Sequence, residues 1–177
     1  MSKIINIMTT IDTDAVKAAY PAGGTEANPI GIAHNMGFMI CTGTTVNAIN
    51  GKTTQGTGDL DFNALVGDTV RYFATSGSDN FEDAVLIYGL PKFSGDQVLS
   101  TFAYREFTKS TVVPQSETSV LPARIVEESF WFYQADVVRK GTEAYKVQFT
   151  LYTRDSTTGA PVLRGYYAWD PTIRVQG

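Results

Sequence analysis

The sequence has little cysteine and histidine and no long apolar run. Its 177 residues include one cysteine, Cys41, and one histidine, His34. A single cysteine excludes an intramolecular disulfide scaffold and a zinc cluster built on several cysteines. The longest apolar stretch, residues 84–90, is far shorter than the ~20 residues that a membrane-spanning helix needs. We therefore expect no disulfide framework and no membrane span.

Basic residues are also scarce. The chain carries 14 Lys and Arg against 18 Asp and Glu, a net charge of −4, and its pI is about 4.9. Proteins that bind nucleic acids neutralise phosphates with clustered positive charge, so nucleic acid is not an expected partner. Residues 1–10 hold one lysine, and polar Asn6 interrupts their apolar residues, which is not typical of a secretion signal. We expect a cytoplasmic protein.

What the chain has in excess is β-branched and aromatic residues. It contains 22 Thr, 15 Val and 11 Ile against 8 Leu, together with 2 Trp, 9 Tyr and 10 Phe. Branching at Cβ restricts rotamers in a helix but packs well on a pleated surface, so this balance favours strands. The 16 glycines are available for turns. The composition therefore predicts an all-β fold.

Alternation of apolar and polar residues locates the strands. Every second residue from Tyr145 to Leu151 is apolar, which predicts a strand with one buried face. Gly141 lies in a short polar connection before it, which predicts a hairpin and makes the last third of the chain a β-meander. Asp12 is predicted to cap one short helix that ends at Pro21. Strands are predicted over residues 4–11, 36–41, 69–75, 84–90, 129–138, 145–152 and 162–169, with another near 98–107.

These patterns predict one domain spanning residues 1–177. No change of composition divides the chain, and no repeat is present. The predicted fold is an antiparallel β-sandwich, immunoglobulin-like or jelly-roll-like, with long loops at its ends and one short N-terminal helix.

Two short motifs resemble ligand loops but lack required positions. Gly51-Lys52-Thr53 matches the end of a P-loop, yet Val46 replaces the leading glycine, so we predict a hairpin turn. The segment 59–63 alternates oxygen-bearing side chains as an EF-hand loop does, but the Gly and Glu of that motif are absent. A strand is the preferred interpretation of this segment, and a calcium site in the loop before it is the alternative.

No catalytic arrangement is recognisable. A nucleophilic triad needs a base beside Ser or Cys, and His34 is the one histidine in a chain without a Gly-x-Ser-x-Gly elbow. We therefore predict a non-enzymatic protein without a cofactor. The acidic loop 78–83 is a candidate for binding sugar hydroxyls or a cation. The aromatic clusters at 130–133 and 166–169 are candidates for stacking sugars or for self-association. The predicted ligand-binding residues are Asp59, Asp79, Asn80, Glu82, Asp83, Asp96 and Trp169, with Trp169 as a stacking face.

Several segments in order along the chain resemble the bacterial inclusion body protein family, also known as the AidA/PixA family. Those segments are 11–14 with Tyr20-Pro21, 29–35, 56–60, 67–71, 84–88, 93–96, 130–132, 141–145 and 167–173. They contain residues for which we predict structural roles, as caps or turn residues and, for His34, in structural hydrogen bonds: Asp12, Asp14, His34, Gly56, Gly58 and Asp170.

The resemblance implies a small cytoplasmic protein of Gram-negative bacteria with no assigned reaction. Family members are linked with quorum-sensing or stationary-phase control and with host association, and some accumulate as paracrystalline inclusions. Some inclusion-forming members are methionine-rich, whereas this chain has 4 Met, a departure that disfavours storage. We predict a self-associating homo-oligomer. The alternative is a lectin-like module that binds carbohydrate through loops at one end, with or without calcium.

Overall fold

The computed structural model describes the backbone of residues 2–176 and the side chains of residues 2–171. Strands dominate it, which confirms the predicted all-β class. Over these residues the chain forms one α-helix, α1 (Thr13–Ala19), and one 3₁₀ turn (His34–Met36). The strands are β1 (Ile4–Ile11), β2 (Ile30–Gly31), β3 (Gly37–Thr42), β4 (Ala48–Ile49), β5 (Lys52–Thr53), β6 (Leu60–Asn63), β7 (Thr69–Ser76), β8 (Ala84–Gly89), β9 (Lys92–Gly95), β10 (Ala103–Val113), β11 (Arg124–Asp136), β12 (Gly141–Tyr145), β13 (Val147–Arg154), β14 (Pro161–Trp169) and β15 (Thr172–Gln176).

Three sheets enclose the core. A five-stranded sheet has the order β10-β11-β7-β1-β3, and two four-stranded sheets have the orders β6-β15-β12-β9 and β2-β14-β13-β8. Most pairs are antiparallel, as predicted, but β1 with β7, β2 with β14 and β6 with β15 are parallel. Strand order of this kind depends on contacts between residues far apart in the chain, so local patterns did not predict it.

The hydrophobic core takes every second residue of the strands. In β1 the alternation places Ile5, Ile7 and Ile11 inside and leaves Ile4 and Met8 exposed. In β13 the predicted inward face is correct, because Val147, Phe149 and Leu151 are fully buried. Tyr72 of the five-stranded sheet meets Tyr145 of β12 edge to face, with ring centroids 6.1 Å apart. One continuous apolar cluster therefore joins all three sheets.

The short helix forms as predicted. The Asp12 carboxylate accepts a hydrogen bond from the Ala15 backbone N–H at 2.9 Å, which caps the first turn. Val16 packs its side chain into the core, and Pro21 follows just after the last turn. Residues 48–53 form the predicted hairpin, with Asn50 and Gly51 at positive φ in its turn. The segment 60–63 is strand β6, so the preferred interpretation over an EF-hand loop is confirmed.

The predicted meander is wrong in its first part. β13 and β14 do form a hairpin, but β11 pairs with β7 and β10, and β12 pairs with β15 and β9. The predicted strand 145–152 also breaks at Lys146, whose N–H donates to the Pro91 carbonyl instead of continuing one ladder. A short polar connection is compatible with a change of sheet as well as with a hairpin, and the sequence pattern does not distinguish the two.

The strand predicted near 98–107 begins later, at Ala103. Val98 and Leu99 are buried, but both of their backbone N–H groups donate to the buried Glu143 carboxylate, at 2.7 and 2.8 Å. A side chain thus takes the place of a strand partner for these two N–H groups, while Leu99 still forms an isolated bridge with Val137.

β10 and β11 form a long hairpin that extends beyond its sheet. β11 pairs with β7 only over Tyr133–Asp136, whereas β10 and β11 remain paired out to Val113 and Arg124. We call the part of this hairpin beyond the sheet, residues 105–132, the arm. It exposes large apolar side chains on a two-stranded ribbon, a structure that is only marginally stable on its own in water.

Candidate functional site

Two of the predicted ligand-binding residues, Glu82 and Asp83, lie in an acidic cleft at one end of the molecule. The cleft has a volume of about 380 Å³ and is also lined by Asp12, Asp14 and Phe38. The structure thus brings the acidic loop beside the start of α1, which are far apart in the sequence. Four carboxylates and one aromatic ring could contact the hydroxyl groups of a ligand.

Lys17 neutralises part of this cleft. Its Nζ lies 2.8 Å from Asp14 Oδ1 and 2.5 Å from Asp83 Oδ2, and these hydrogen bonds raise the pKa of the lysine, that with Asp14 most. The Asp12 carboxylate caps α1. Three of the four carboxylates are therefore engaged within the protein. Within the described residues, no group of three or more His, Cys, Asp or Glu side chains could hold a metal ion.

The remaining polar residues of the acidic loop stabilise its conformation. Asn80 Oδ1 accepts from the N–H groups of Ser76 and Val85, both at 3.0 Å, and closes the loop. Arg154, at the end of β13 and not part of the loop, donates to the carbonyls of Asn80, Phe81 and Glu82. Asp79 accepts from the Thr75 hydroxyl at 3.1 Å.

His34 lies between two carboxylates outside this cleft. Its Nδ1 is 3.0 Å from Asp59 Oδ1, and its Nε2 is 3.5 Å from Asp170 Oδ1. This cluster joins the 3₁₀ turn to the start of β6 and to the segment after β14. Gly58 lies against the His34 backbone, where a Cβ would be 1.8 Å from the His34 carbonyl oxygen. The structural roles of these residues stay predictions.

Trp169 does not offer the stacking face proposed for it from the sequence. The residue is 2% exposed, and its indole packs beneath Gly37 and edge to face against Phe149. Trp169 belongs to the alternate residues of β14 that face inward, so its side chain points into the core. Trp169 also lines a second cleft of about 380 Å³. The more exposed ring in this cleft is that of Phe93, and Lys146 Nζ lies 4.9 Å from its centroid.

Asp96 lies apart from both clefts. Its Oδ2 accepts from the Thr142 N–H at 3.3 Å, and Arg139 approaches Oδ1 at 3.8 Å. The predicted ligand-binding residues therefore fall into separate places rather than one site. Glu82 and Asp83 line the acidic cleft, and Asp79 and Asn80 belong to its loop, while Asp59, Asp96 and Trp169 lie elsewhere.

Sequence reasoning missed the outer face of the five-stranded sheet. Beyond the buried layer, neighbouring strands expose Met8, Ile40 and Phe38 on this face, and Phe73 lies next to Met8 in the paired strand. The signal was present, because residues 36–41 are apolar at nearly every position rather than at alternate ones. Toward β10 and β11 the same face carries Phe132, Phe107 and Phe130 at the base of the arm.

Cys41 is an unreactive thiol. It is buried on the inner face of β3, and desolvation raises its pKa to about 12. Because of this raised pKa the thiol is protonated at neutral pH, whereas a cysteine nucleophile reacts as the thiolate.

In the part of the chain that the structure describes, no helix is long and apolar enough to span a bilayer.

Comparison with known proteins identifies the family. The family model described as PixA, inclusion body protein, matches residues 3–175. A crystal structure of an inclusion body protein (PixA) from Burkholderia cenocepacia J2315 is similar, with a TM-score of 0.80 and 28% sequence identity over 98% of this chain and 96% of that one. No curated protein sequence matches the chain. Because the family model covers nearly the whole sequence, this chain belongs to the PixA inclusion body protein family.

Proposed function

We propose that this chain is a non-enzymatic, self-associating protein whose dimer forms by pairing of the β10 edges. The observation that carries the proposal is the free edge of β10. Its residues 103–113 pair with β11 on one side, and on the other side they form no backbone hydrogen bond to any described residue. An unpaired strand of this length is a template for another strand.

The opposite edge of the same sheet is covered. On the free side of β3, the Met39 N–H donates to the Thr57 carbonyl at 3.0 Å, and the Gly56 N–H donates to the Met39 carbonyl at 2.8 Å. The Gln55 side chain bonds both the N–H and the carbonyl of Cys41. Addition of strands at β3 is therefore blocked, so pairing at β10 joins two copies of this sheet and leaves it no further free edge.

The sequence of β10 suits antiparallel pairing with itself. A two-fold axis through Thr108 places Glu106 opposite Ser110 of the second copy and Phe107 opposite Lys109. The same register places Arg105 opposite Thr111. No like charges face each other, so backbone hydrogen bonds form without electrostatic opposition.

Sedimentation velocity tests this register. We expect a dimer for the native chain and a dimer weakened about 2- to 30-fold by Thr111→Lys, which puts like charges opposite each other twice, at about 0.2–1 kcal/mol each. Adding Arg105→Glu to that variant should restore the dimer by turning both repulsive pairs into attractive ones.

The matched control is Val126→Lys, because Val126 lies directly opposite Thr111 within the arm but not on the free edge. This variant should dimerise as the native chain does. A native protein that is monomeric at every accessible concentration contradicts the proposal. Failure of the Arg105→Glu rescue contradicts the register.

A second function, binding of a hydroxyl-rich ligand such as a carbohydrate, is supported by the acidic cleft. Glu82 and Asp83, chosen from the sequence, line it beside Phe38, so acceptors for hydroxyl groups and an apolar ring lie together. A glycan array probed with and without a chelator tests this function and its calcium alternative. Absence of binding in both conditions excludes both.

The absence of an activity is part of the same proposal. The buried Cys41 is protonated, and His34 is engaged by Asp59 and Asp170, so neither is arranged as a nucleophile with its base.

A cytoplasmic location and a link to quorum-sensing or host-association physiology stay predictions of the family resemblance.

A further inference from the structure

We propose that the aromatic cleft at the base of the arm binds small amphipathic anions, such as aryl or medium-chain carboxylates. The cleft has a volume of about 320 Å³, within the range of small-molecule sites. It is lined by Arg71, Phe73, Phe107, Lys109, Phe130 and Phe132. The inference is separate from self-association and goes beyond it, because it concerns a face of the arm and not its free edge.

Three strands build the apolar part of the cleft. Phe132 of β11 is the floor, 6% exposed, with its ring centroid 5.0 Å from that of Phe73 and 5.8 Å from that of Phe107. Phe107 and Phe130, which are opposite each other in the arm, form the more exposed walls, at 45% and 39%. The exposed ring faces provide an apolar surface that a ligand would remove from water.

The charged part of the cleft is entirely basic. The Arg71 Cζ lies 4.9 Å from the Phe132 centroid, and its Nε donates to Gln134 Oε1 at 3.3 Å, which holds the guanidinium over the ring. Among the described side chains, neither Arg71 nor Lys109 has a carboxylate within 4 Å, although Glu128 lies across the arm from Lys109. A carboxylate ligand would supply the missing counter-charge.

The overall charge of the protein does not account for this pattern. The chain is acidic, with a net charge of −4, so its general field repels anions. Two cations beside four phenyl rings, with no acid in the lining, therefore select locally for a ligand that combines an apolar body with one negative group.

Saturation-transfer NMR with 4-phenylbutyrate and neutral 4-phenyl-1-butanol tests the site. The acid should bind with a dissociation constant on the order of 1 mM, and the alcohol should bind several-fold more weakly. Lys109→Gln should weaken binding of the acid about two- to fivefold, in line with loss of one partly exposed charge. Phe130→Ala should weaken both probes, because it removes a wall of the cleft.

A matched control comes from the other aromatic–cation pair among the described side chains. Lys146 Nζ lies 4.9 Å from the Phe93 ring centroid, the same separation as Arg71 Cζ from Phe132. Lys146→Gln and Phe93→Ala should leave binding unchanged. Equal loss in these controls, equal binding of acid and alcohol, or no transfer to either probe overturns the inference.

Protein concentration separates this inference from the proposed dimer. Acid binding should persist in the Thr111→Lys variant, which keeps the cleft while weakening the edge pairing. If the acid binds and the native chain stays monomeric, the self-association proposal fails and the site stands. If binding disappears as the protein concentration rises, a second copy covers the cleft, and the inference is overturned.

Discussion

At the scale of single residues, several positions are determined by how closely two backbone segments approach. Gly58 shows this most directly, because a Cβ there would lie 1.8 Å from the carbonyl oxygen and 2.6 Å from the carbonyl carbon of His34. Those atoms belong to the backbone and cannot move aside as a flexible side chain can. The glycine therefore allows the loop before β6 to contact the 3₁₀ turn and brings Asp59 within 3.0 Å of His34.

We predict that Gly58→Ala lowers the free energy of unfolding by about 1–3 kcal/mol or more, as overpacking does. For a chain of this size, that corresponds to a melting temperature lower by about 2–12 °C in a thermal denaturation followed by circular dichroism. The control is Gly31→Ala, because a Cβ at Gly31 would meet no atom within 4 Å. Equal melting temperatures for the two variants would show that the loop contact is dispensable.

At the scale of secondary structure, the arm differs from the rest of the five-stranded sheet. Beyond Tyr133 its two strands have only each other as partners, and Val112 and Ile125 near the tip are 68% and 75% exposed. Such a ribbon adds little buried surface to the folded protein. Its exposed edge and faces are instead available for contacts with other molecules.

Replacing residues 108–129 with Asn-Gly should therefore leave the fold intact and abolish the dimer. The two residues supply a type I′ turn that joins the paired Phe107 and Phe130. We expect near-native far-ultraviolet circular dichroism and a monomer in sedimentation velocity. A dimer that survives this deletion would move the interface to another surface, such as the apolar outer face beside β3.

At the scale of the whole molecule, the three sheets bury groups that ionise only at alkaline pH. Burial raises the pKa of Cys41 to about 12 from 9.0, and it raises that of Tyr145 well above 10.0. Well below pH 9 these groups are neutral in both folded and unfolded chains. Above it the unfolded chain loses protons first, so the free energy of unfolding decreases as the pH rises from about 9 toward 12.

Tyr145→Phe should make this alkaline decrease smaller and should stabilise the protein by about 1 kcal/mol near pH 7. The Tyr145 hydroxyl is buried without a hydrogen-bond partner among the described residues, so its removal relieves a desolvation cost. The matched control is Tyr72→Phe, because the Tyr72 hydroxyl accepts from Thr9 at 2.8 Å and its loss should destabilise. Urea denaturation from pH 7 to 11 measures both, and equal effects would contradict the assignment.

Local patterns predicted the elements of this fold better than their arrangement. The β1 pattern reproduces Ile4–Ile11, and the Asp12 cap forms as predicted, because both depend on residues within a few positions of each other. The predicted meander is wrong in its first part because β12 pairs with β15 and β9 rather than with β11 or β13, its neighbours in sequence. The candidate site was predicted only in part, since acidic side chains signal polar surface but not which of them converge.

The sequence by itself determined the all-β class, the inward face of β13, the helix cap and the likeness to the PixA family. Composition, period-two alternation and short motifs can be read from the sequence, and none of them depends on the order of the strands in the sheets. Only the tertiary structure decided that Trp169 is buried, that Lys17 joins Asp14 to Asp83, and that β3 is covered while β10 is open. These features depend on contacts between residues far apart in the sequence. Such contacts form only when the strands assemble into sheets and pack around one core, so no local pattern reveals them.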